Sequence, residues 1–160
     1  MTGANSGIGE IAARQLQDCG HVLTVVCRSR ERADQTMAWI QEPSQILIAD
    51  LSDLNAVNKI AAQLCLDGQP FDVLVLNAGL QYAGVDIPRW SLQGFELTWA
   101  VNHLAHQCLL QRVLPLLCDS PSARVVITAS EVHNPKTGGG RVGQPAGLGT
   151  LAGMQQGAGA

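Results

Sequence analysis

The sequence contains little charge, few aromatic residues and no long apolar run. Only 14% of its 160 residues are charged and 4% are aromatic. The net charge of −3 and the dispersed basic residues lack the basic patch of a nucleic-acid-binding protein. No apolar run approaches the roughly 18 residues of a membrane span, and no charged segment followed by an apolar run marks a secretory signal at the N-terminus. We therefore expect no nucleic-acid partner, no membrane span and a cytoplasmic location.

The cysteines favour neither a disulfide framework nor a metal site. They are odd in number and never closer than eight residues: Cys19, Cys27, Cys65, Cys108 and Cys118. We interpret them as small buried hydrophobic residues in a reducing compartment. His103 and His106 have a spacing that also fits a metal pair, but no cysteine or carboxylate accompanies them. Packing on a helix is the favoured interpretation, and we predict no metal site.

Glycine is concentrated at the start of the chain, where positions 3, 7 and 9 open an amphipathic helical pattern. A glycine-rich turn that runs into a helix N-terminus exposes main-chain N–H groups and the positive end of the helix dipole to an anion. The side chains predicted to share the inward face of this helix are Ile8, Ile11, Ala12, Gln15, Leu16 and Cys19. The turn therefore predicts a phosphate-binding site.

Helical and strand patterns alternate along the rest of the chain. Short apolar runs predict buried strands at 21–27, 45–49, 71–76 and 124–129. A long helix is predicted at about 91–117, with one face formed by Phe95, Trp99, Asn102, His106, Leu109 and Val113. This alternation predicts an α/β fold, a doubly wound parallel sheet of the Rossmann-like kind, with sites at the carboxyl ends of the strands. We assign 1–136 to this domain and 137–160, with nine glycines, to a glycine-rich loop or disordered tail.

Several motifs together resemble the short-chain dehydrogenase/reductase family. Thr2 to Gly9 read TGANSGIG, similar to the family's Thr-Gly-x-x-x-Gly-x-Gly signature. Asn77-Ala78-Gly79 matches the family's Asn-Ala-Gly, and RVVITAS resembles the strand that ends at its serine, here Ser130. The matches cover about four fifths of the chain. Within the family, the segment GFELTWAVNHLAH resembles retinol-dehydrogenase-like enzymes and light-dependent protochlorophyllide reductases.

The resemblance implies a cofactor site and part of a catalytic set. It implies that Asp50 accepts from an adenine amino group, that Asn102 holds a proton-relay water and that Ser130 positions a substrate carbonyl. Arg28 follows Cys27, where an NAD-type member carries an acid, and this favours NADP because a guanidinium can bind a 2′-phosphate. The predicted cofactor-binding residues are Gly3, Asn5, Ser6, Gly7, Ile8, Gly9, Arg28, Asp50, Leu51, Asn77, Ala78 and Gly79.

Several of these residues also have a simpler interpretation. An arginine at position 28 is also typical of an exposed surface, and an aspartate at position 50 is also typical of a helix cap. Asn77-Ala78-Gly79 also fits an ordinary turn, and Asn102 also fits a buried asparagine with structural partners. The combination in order and spacing, rather than any single residue, favours the family.

Two parts of the family pattern are absent from the sequence. The family's chemistry uses Tyr-x-x-x-Lys, but the only tyrosine is Tyr82, and the only lysines are Lys59 and Lys136. Only Met1 precedes the glycine-rich motif, where the family has a buried first strand. We expect an incomplete fold, truncated at both ends, without its first strand and C-terminal elements. Two strand edges and two apolar helix faces should be exposed, so the chain should be poorly stable alone.

Two functions are compatible with these observations. The resemblance implies an NADP-dependent oxidoreductase that transfers hydride to or from a carbonyl or an activated double bond of a small hydrophobic substrate, with a homo-oligomer as one option for the intact enzyme. Because the Tyr-x-x-x-Lys motif is missing, we expect this chain to be an inactive fragment of such an enzyme. The alternative is a non-catalytic remnant that binds a nucleotide or a protein partner.

Overall fold

Helices and strands alternate in the computed structural model, which describes residues 1–81 and 88–130. The helices are α1 (Gly7–Asp18), α2 (Arg30–Met37), α3 (Leu54–Asp67), α4 (Leu97–Trp99) and α5 (Ala105–Cys118), and a π-helical segment, Ala100–Leu104, joins the last two. The strands are β1 (Thr24–Cys27), β2 (Gln45–Ile48), β3 (Val73–Leu76) and β4 (Arg124–Ile127). The predicted α/β alternation is confirmed. Tyr82 and the predicted tail at 137–160 lie outside the described residues.

The strands form two parallel pairs, and the first two residues of the chain lie between them. β1 pairs with β2, and β3 pairs with β4. The N–H of Thr2 donates to the carbonyl oxygen of Val75 at 2.9 Å, and the N–H of Val26 donates to that of Met1 at 3.0 Å. The spatial order is therefore β2, β1, Met1–Thr2, β3, β4. We expected the central strand position, between β1 and β3, to be empty. Met1 and Thr2 occupy it over two residues, so the edges of β1 and β3 are only partly unpaired.

Helices cover both faces of this arrangement, as expected for a doubly wound sheet. Successive residues of a strand point to opposite faces, and in β1 Val25 and Cys27 belong to one apolar cluster while Val26 belongs to another. The first cluster includes Ala13 of α1 and Ala33 of α2, and the second includes buried residues of α3 and α5. Because the strands are parallel, their carboxyl ends lie at the same edge of this arrangement.

Helix α1 packs through small residues rather than through its predicted apolar face. Ile8 and Ile11 are 70% and 60% exposed, whereas Gly9, Ala13 and Gln17 are buried. The prediction was wrong because it assumed that the larger apolar side chains face the core. The glycine-rich turn instead brings the helix so close to the strand ends that only small side chains fit beneath its first turns.

The cysteines also differ from the prediction. Cys27 is buried in β1 and Cys108 is half-buried, but Cys19, Cys65 and Cys118 are exposed. The three exposed residues lie on helices or at helix ends. The interpretation as buried hydrophobic residues is correct for Cys27 alone.

The predicted helix at 91–117 begins later and is interrupted. It starts at Leu97, because the Glu96 carboxylate accepts from the N–H groups of Thr98 and Trp99 at 3.0 and 2.8 Å and caps the first turn. The π-helical segment then shifts the face that meets the sheet, since its turns contain more residues than an α-helix. Asn102 is therefore exposed. The buried positions are Ala100, Val101, Ala105, His106, Leu109, Val113, Leu116 and Leu117. None of the described helices is both long and apolar enough to cross a membrane.

Candidate functional site

The glycine-rich turn delivers the N-terminus of α1 to the strand ends. The helix begins at Gly7, and the preceding Ser6 is extended and makes no side-chain cap bond. The first-turn N–H groups are therefore not satisfied by a cap and are available to an anion. Gly7 has a φ of +55°, and a Cβ placed on it would meet nothing within 4 Å. The turn thus leaves open space where a phosphate can approach the main chain.

The other end of the turn is closely packed. A Cβ placed on Gly9 would overlap the carbonyl oxygen of Gly3 and lie 2.5 Å from Nδ2 of Asn77. A Cβ on Gly3 would lie 2.7 Å from the Cα atom of Ala78. Only glycine fits at both positions, so the close contact between the turn and the end of β3 explains two of the three glycines.

A cleft of about 580 Å³ opens between this turn and the ends of β1, β2 and β3. This volume lies within the range of roughly 300–1,000 Å³ that is typical of small-molecule and cofactor sites. All twelve residues that the sequence analysis assigned to cofactor binding line the cleft. The structure therefore brings together residues that are up to 76 positions apart in the sequence, while their role in binding stays a prediction.

Seven further residues line the cleft and were missed by the sequence analysis. They are Val26, Arg32, Ala49, Ser52, Leu80, Leu97 and Val101. A signal for Arg32 was available in the sequence, because Arg32 lies only four residues after Arg28 and therefore close to the same strand end. The apolar residues have no comparable signal in the sequence. They have the pattern of core residues, and nothing in that pattern indicates that they also border the cleft.

The charged groups of the cleft are two arginines and one aspartate. Arg28 directly follows β1, and Arg32 lies in the first turn of α2, with its guanidinium donating to Oε1 of Gln35 at 3.1 Å. Among the described residues, neither arginine forms an ion pair with a carboxylate. Asp50 follows β2, and its Oδ1 accepts from the N–H of Ser52 at 2.8 Å. The arginine side of the cleft is thus suited to a phosphate.

Thr2 is the connection between the turn and the end of β3. It is fully buried, and its hydroxyl oxygen accepts from the N–H groups of Asn77 and Ala78, both at 3.0 Å. The same hydroxyl lies 3.0 Å from Nε2 of His106 in α5. The amide of Asn77 donates back to the carbonyl oxygen of Gly3 at 3.3 Å and accepts from the Thr128 hydroxyl at 3.0 Å. One polar network therefore joins the turn, two strand ends and a helix.

The two residues assigned to catalysis lie outside the cleft lining. The side chain of Asn102 binds both main-chain groups of Leu80: Oδ1 accepts from its N–H at 2.8 Å, and Nδ2 donates to its carbonyl oxygen at 2.9 Å. Ser130 is exposed beyond the end of β4. Their proposed roles toward a water and a substrate stay predictions. Within residues 1–81 and 88–130, no group of three histidine, cysteine or acidic side chains is arranged to hold a metal ion.

Comparison with known proteins gives consistent similarities. The family model described as short chain dehydrogenase matches residues 1–140. The chain is 35% identical over 164 residues to the chloroplastic protochlorophyllide reductase of Cucumis sativus, covering 98% of this chain and 41% of that protein. It is 36% identical over 140 residues to the WW domain-containing oxidoreductase of Homo sapiens, covering 83% and 33%. The chain thus spans less than half the length of these curated relatives.

Solved structures share the fold. The NADP active-site complex of RhlG from Pseudomonas aeruginosa matches with a TM-score of 0.67 and 27% identity, over 86% of this chain and 56% of that one. A short chain dehydrogenase of Shigella flexneri complexed with NADP matches with a TM-score of 0.68 and 26% identity, over 85% and 59%. The partial doubly wound fold of this chain therefore matches a little over half of each of these proteins.

Proposed function

The chain belongs to the short-chain dehydrogenase family, and from this premise we propose that it contains the NADP-binding part of an oxidoreductase. The observation that carries the proposal is the cleft itself, in which an uncapped helix N-terminus and two arginines free of carboxylate partners lie at one edge of the sheet. A dinucleotide needs a phosphate-binding turn and a polar group near its adenosine, and we assign these roles to the glycine-rich turn and to the arginine side of the cleft. Two solved structures of similar fold are NADP complexes, which supports the choice of cofactor.

The residues of the cleft fit a dinucleotide with a 2′-phosphate. The open space above Gly7 admits a pyrophosphate against the first-turn N–H groups. Arg28 and Arg32 would bind the 2′-phosphate, and Asp50 would accept from the adenine amino group. Asn77 holds the turn against the end of β3 and so maintains the shape of the site. When bound, the nicotinamide dinucleotide supplies a hydride to a carbonyl or an activated double bond, or accepts one.

Removal of one arginine tests the cofactor preference. In Arg28→Ala, one charge-assisted contact is lost, at a cost of about 1.5–3 kcal/mol. We expect the affinity for NADPH to fall roughly ten- to a hundredfold, while the affinity for NADH stays unchanged. Arg32→Ala should have a smaller effect of the same kind. Isothermal titration calorimetry of the 160-residue chain with both nucleotides measures these changes.

Arg30→Ala is the matched control, because Arg30 is an exposed arginine between Arg28 and Arg32 that does not line the cleft. It should bind both nucleotides as the unmodified chain does. Equal affinities of the unmodified chain for NADPH and NADH would refute the 2′-phosphate assignment. No binding of either nucleotide would refute the nucleotide site altogether.

The second candidate function is nucleotide binding without turnover. The observation that favours it is the sequence, which contains no Tyr-x-x-x-Lys to supply a general acid. A positioned acid or base contributes about 10²–10⁴ in rate. We therefore propose that this 160-residue chain binds NADPH but does not oxidise it in the presence of hydrophobic ketones, aldehydes or protochlorophyllide. Substrate-dependent loss of absorbance at 340 nm, a wavelength characteristic of the reduced nicotinamide, would contradict this proposal.

The finer properties of the intact protein are proposals of the same kind. We propose a small hydrophobic substrate, because the relatives include protochlorophyllide reductases. The cytoplasmic location and the homo-oligomer stay predictions, and several plant relatives are named as chloroplastic.

A further inference from the structure

The protonation state of His106 follows from counting the bonds of the Thr2 hydroxyl. A hydroxyl has two acceptor positions and one proton to donate. The N–H groups of Asn77 and Ala78 occupy both acceptor positions. The proton is therefore donated to Nε2 of His106, 3.0 Å away, and this nitrogen must be unprotonated. The other nitrogen, Nδ1, then carries the ring proton and donates it to the main-chain carbonyl oxygen of Asn102 at 3.2 Å.

We propose that His106 is a positioning residue of the cofactor site, which holds Thr2 against the end of β3 only while its imidazole ring is neutral. The ring is 5% exposed and joins the buried Thr2 to the π-helical segment that contains Asn102. Its effect on the cleft passes through Thr2, because the same hydroxyl fixes Asn77 and Ala78, which line the cleft. The effect on nucleotide affinity rests on the function proposed above.

Protonation would break this arrangement. A charged ring carries a proton on both nitrogens, so Nε2 can no longer accept from the Thr2 hydroxyl. The hydroxyl would have to accept from Nε2 and give up its bond with Asn77 or Ala78. Burial lowers the pKa of His106 below its ordinary value, which keeps the ring neutral near pH 7. Because the unfolded chain binds this proton more readily, the contribution to stability is lost as the pH falls below about 6.5.

Few other charged groups act on the ring. His103 lies in the π-helical segment that precedes α5, and its charge also lowers the pKa of His106. β3 has no titratable side chain, and α3, which packs along α5, carries the exposed Lys59 and Asp67 as its charged residues. The α-amino group of Met1 lies next to Thr2 in the chain, and burial lowers its pKa to about 6. Any test must therefore separate His106 from Met1.

Nuclear magnetic resonance of the 160-residue chain tests the tautomer directly and requires no ligand. At pH 8 the ¹⁵N shifts of His106 should show a protonated Nδ1 and an unprotonated Nε2. On acidification, the amide signals of Asn77 and Ala78 should shift with the midpoint of His106. The opposite tautomer, or amide signals that do not follow His106, would overturn the proposal even if the chain binds no nucleotide.

Nucleotide affinity supplies the second readout. Between pH 8 and pH 5.5 the affinity for NADPH should fall about two- to tenfold more in the unmodified chain than in His106→Gln. This extra loss is about the effect of one hydrogen bond. Glutamine can donate and accept but does not titrate in this range. The Met1 amino group and the nucleotide phosphate titrate in both proteins and cancel in the comparison. His21→Gln, an exposed histidine before β1 that does not act on the His106 ring, should keep the profile of the unmodified chain.

The outcomes separate the two proposals. Binding of NADPH with identical pH profiles in the unmodified chain and in His106→Gln would overturn the role of His106 and leave the proposed function standing. An absence of NADPH binding at pH 8 would refute the proposed function, and the NMR titration would then decide the role of His106 alone.

Discussion

Thr2 is the second residue of the chain, yet its hydroxyl should be one of the largest contributors to stability. Residues near a terminus are usually tolerant of substitution. Thr2 differs because it is fully buried and its hydroxyl is the acceptor for two main-chain N–H groups at the end of β3. Thr2→Val preserves the shape of the side chain and removes only the hydroxyl. The N–H groups of Asn77 and Ala78 then lose their acceptor.

The expected cost can be estimated from these two groups. A buried donor left without a partner costs about 1–3 kcal/mol. Since both donors are only partly buried, we expect the lower part of this range for each, or about 2–4 kcal/mol in total. A domain is typically stable by about 5–15 kcal/mol, so this is a large fraction of the total. Nothing in the shape of valine offsets the loss.

Urea unfolding followed by far-ultraviolet circular dichroism measures the change. Thr24→Val is the matched control, since Thr24 is a half-buried strand residue whose hydroxyl makes no hydrogen bond among the described residues. The control should change the free energy of unfolding by less than about 0.5 kcal/mol. Equal effects of the two substitutions would refute the argument, because the hydroxyl of Thr2 would then have no special role.

Two further predictions concern the turn and the helix cap. Gly9→Ala should destabilise the chain by more than about 2 kcal/mol in the same unfolding assay, because the added Cβ overlaps the Gly3 carbonyl oxygen, whereas Gly79→Ala, whose Cβ has ordinary contacts, should be tolerated. Gln93→Leu should raise the pKa of the Asp53 carboxyl toward its usual value in a ¹³C NMR titration, because the Gln93 amide donates to that carboxylate and lowers its pKa. An unchanged Asp53 titration would show that the Gln93 contact is absent in solution.

The strands and the residues at their ends could be predicted from the sequence because both signals are local. A continuous apolar run bounded by turn residues predicts a buried strand, and its carboxyl end is where parallel sheets bind ligands. Arg28, Asp50 and Asn77 each follow such a run, and the structure brings all three to one cleft. Their common position required no knowledge of side-chain packing.

The errors arose where packing overrides the local pattern. The inward face of α1 is formed by Gly9 and Ala13, because a close approach to the strand ends selects small residues rather than large apolar ones. The π-helical segment Ala100–Leu104 changes the period on which the predicted helix face depended. The Thr2 hydroxyl pairs with residues 75, 76 and 104 positions away, and no periodicity encodes such partners.

The network around Thr2 also limits what the presence of Asn102 can prove. The side chain of Asn102 holds the main chain of Leu80, and its carbonyl oxygen accepts from His106, which in turn holds Thr2. Each of these contacts supports the wall of the cleft, because Leu80 and the two residues that donate to the Thr2 hydroxyl, Asn77 and Ala78, line it. A chain that binds a nucleotide without turnover would need Asn102 for the same reasons as an enzyme. Asn102 therefore does not discriminate between the two proposed functions, which differ in whether the chain oxidises NADPH.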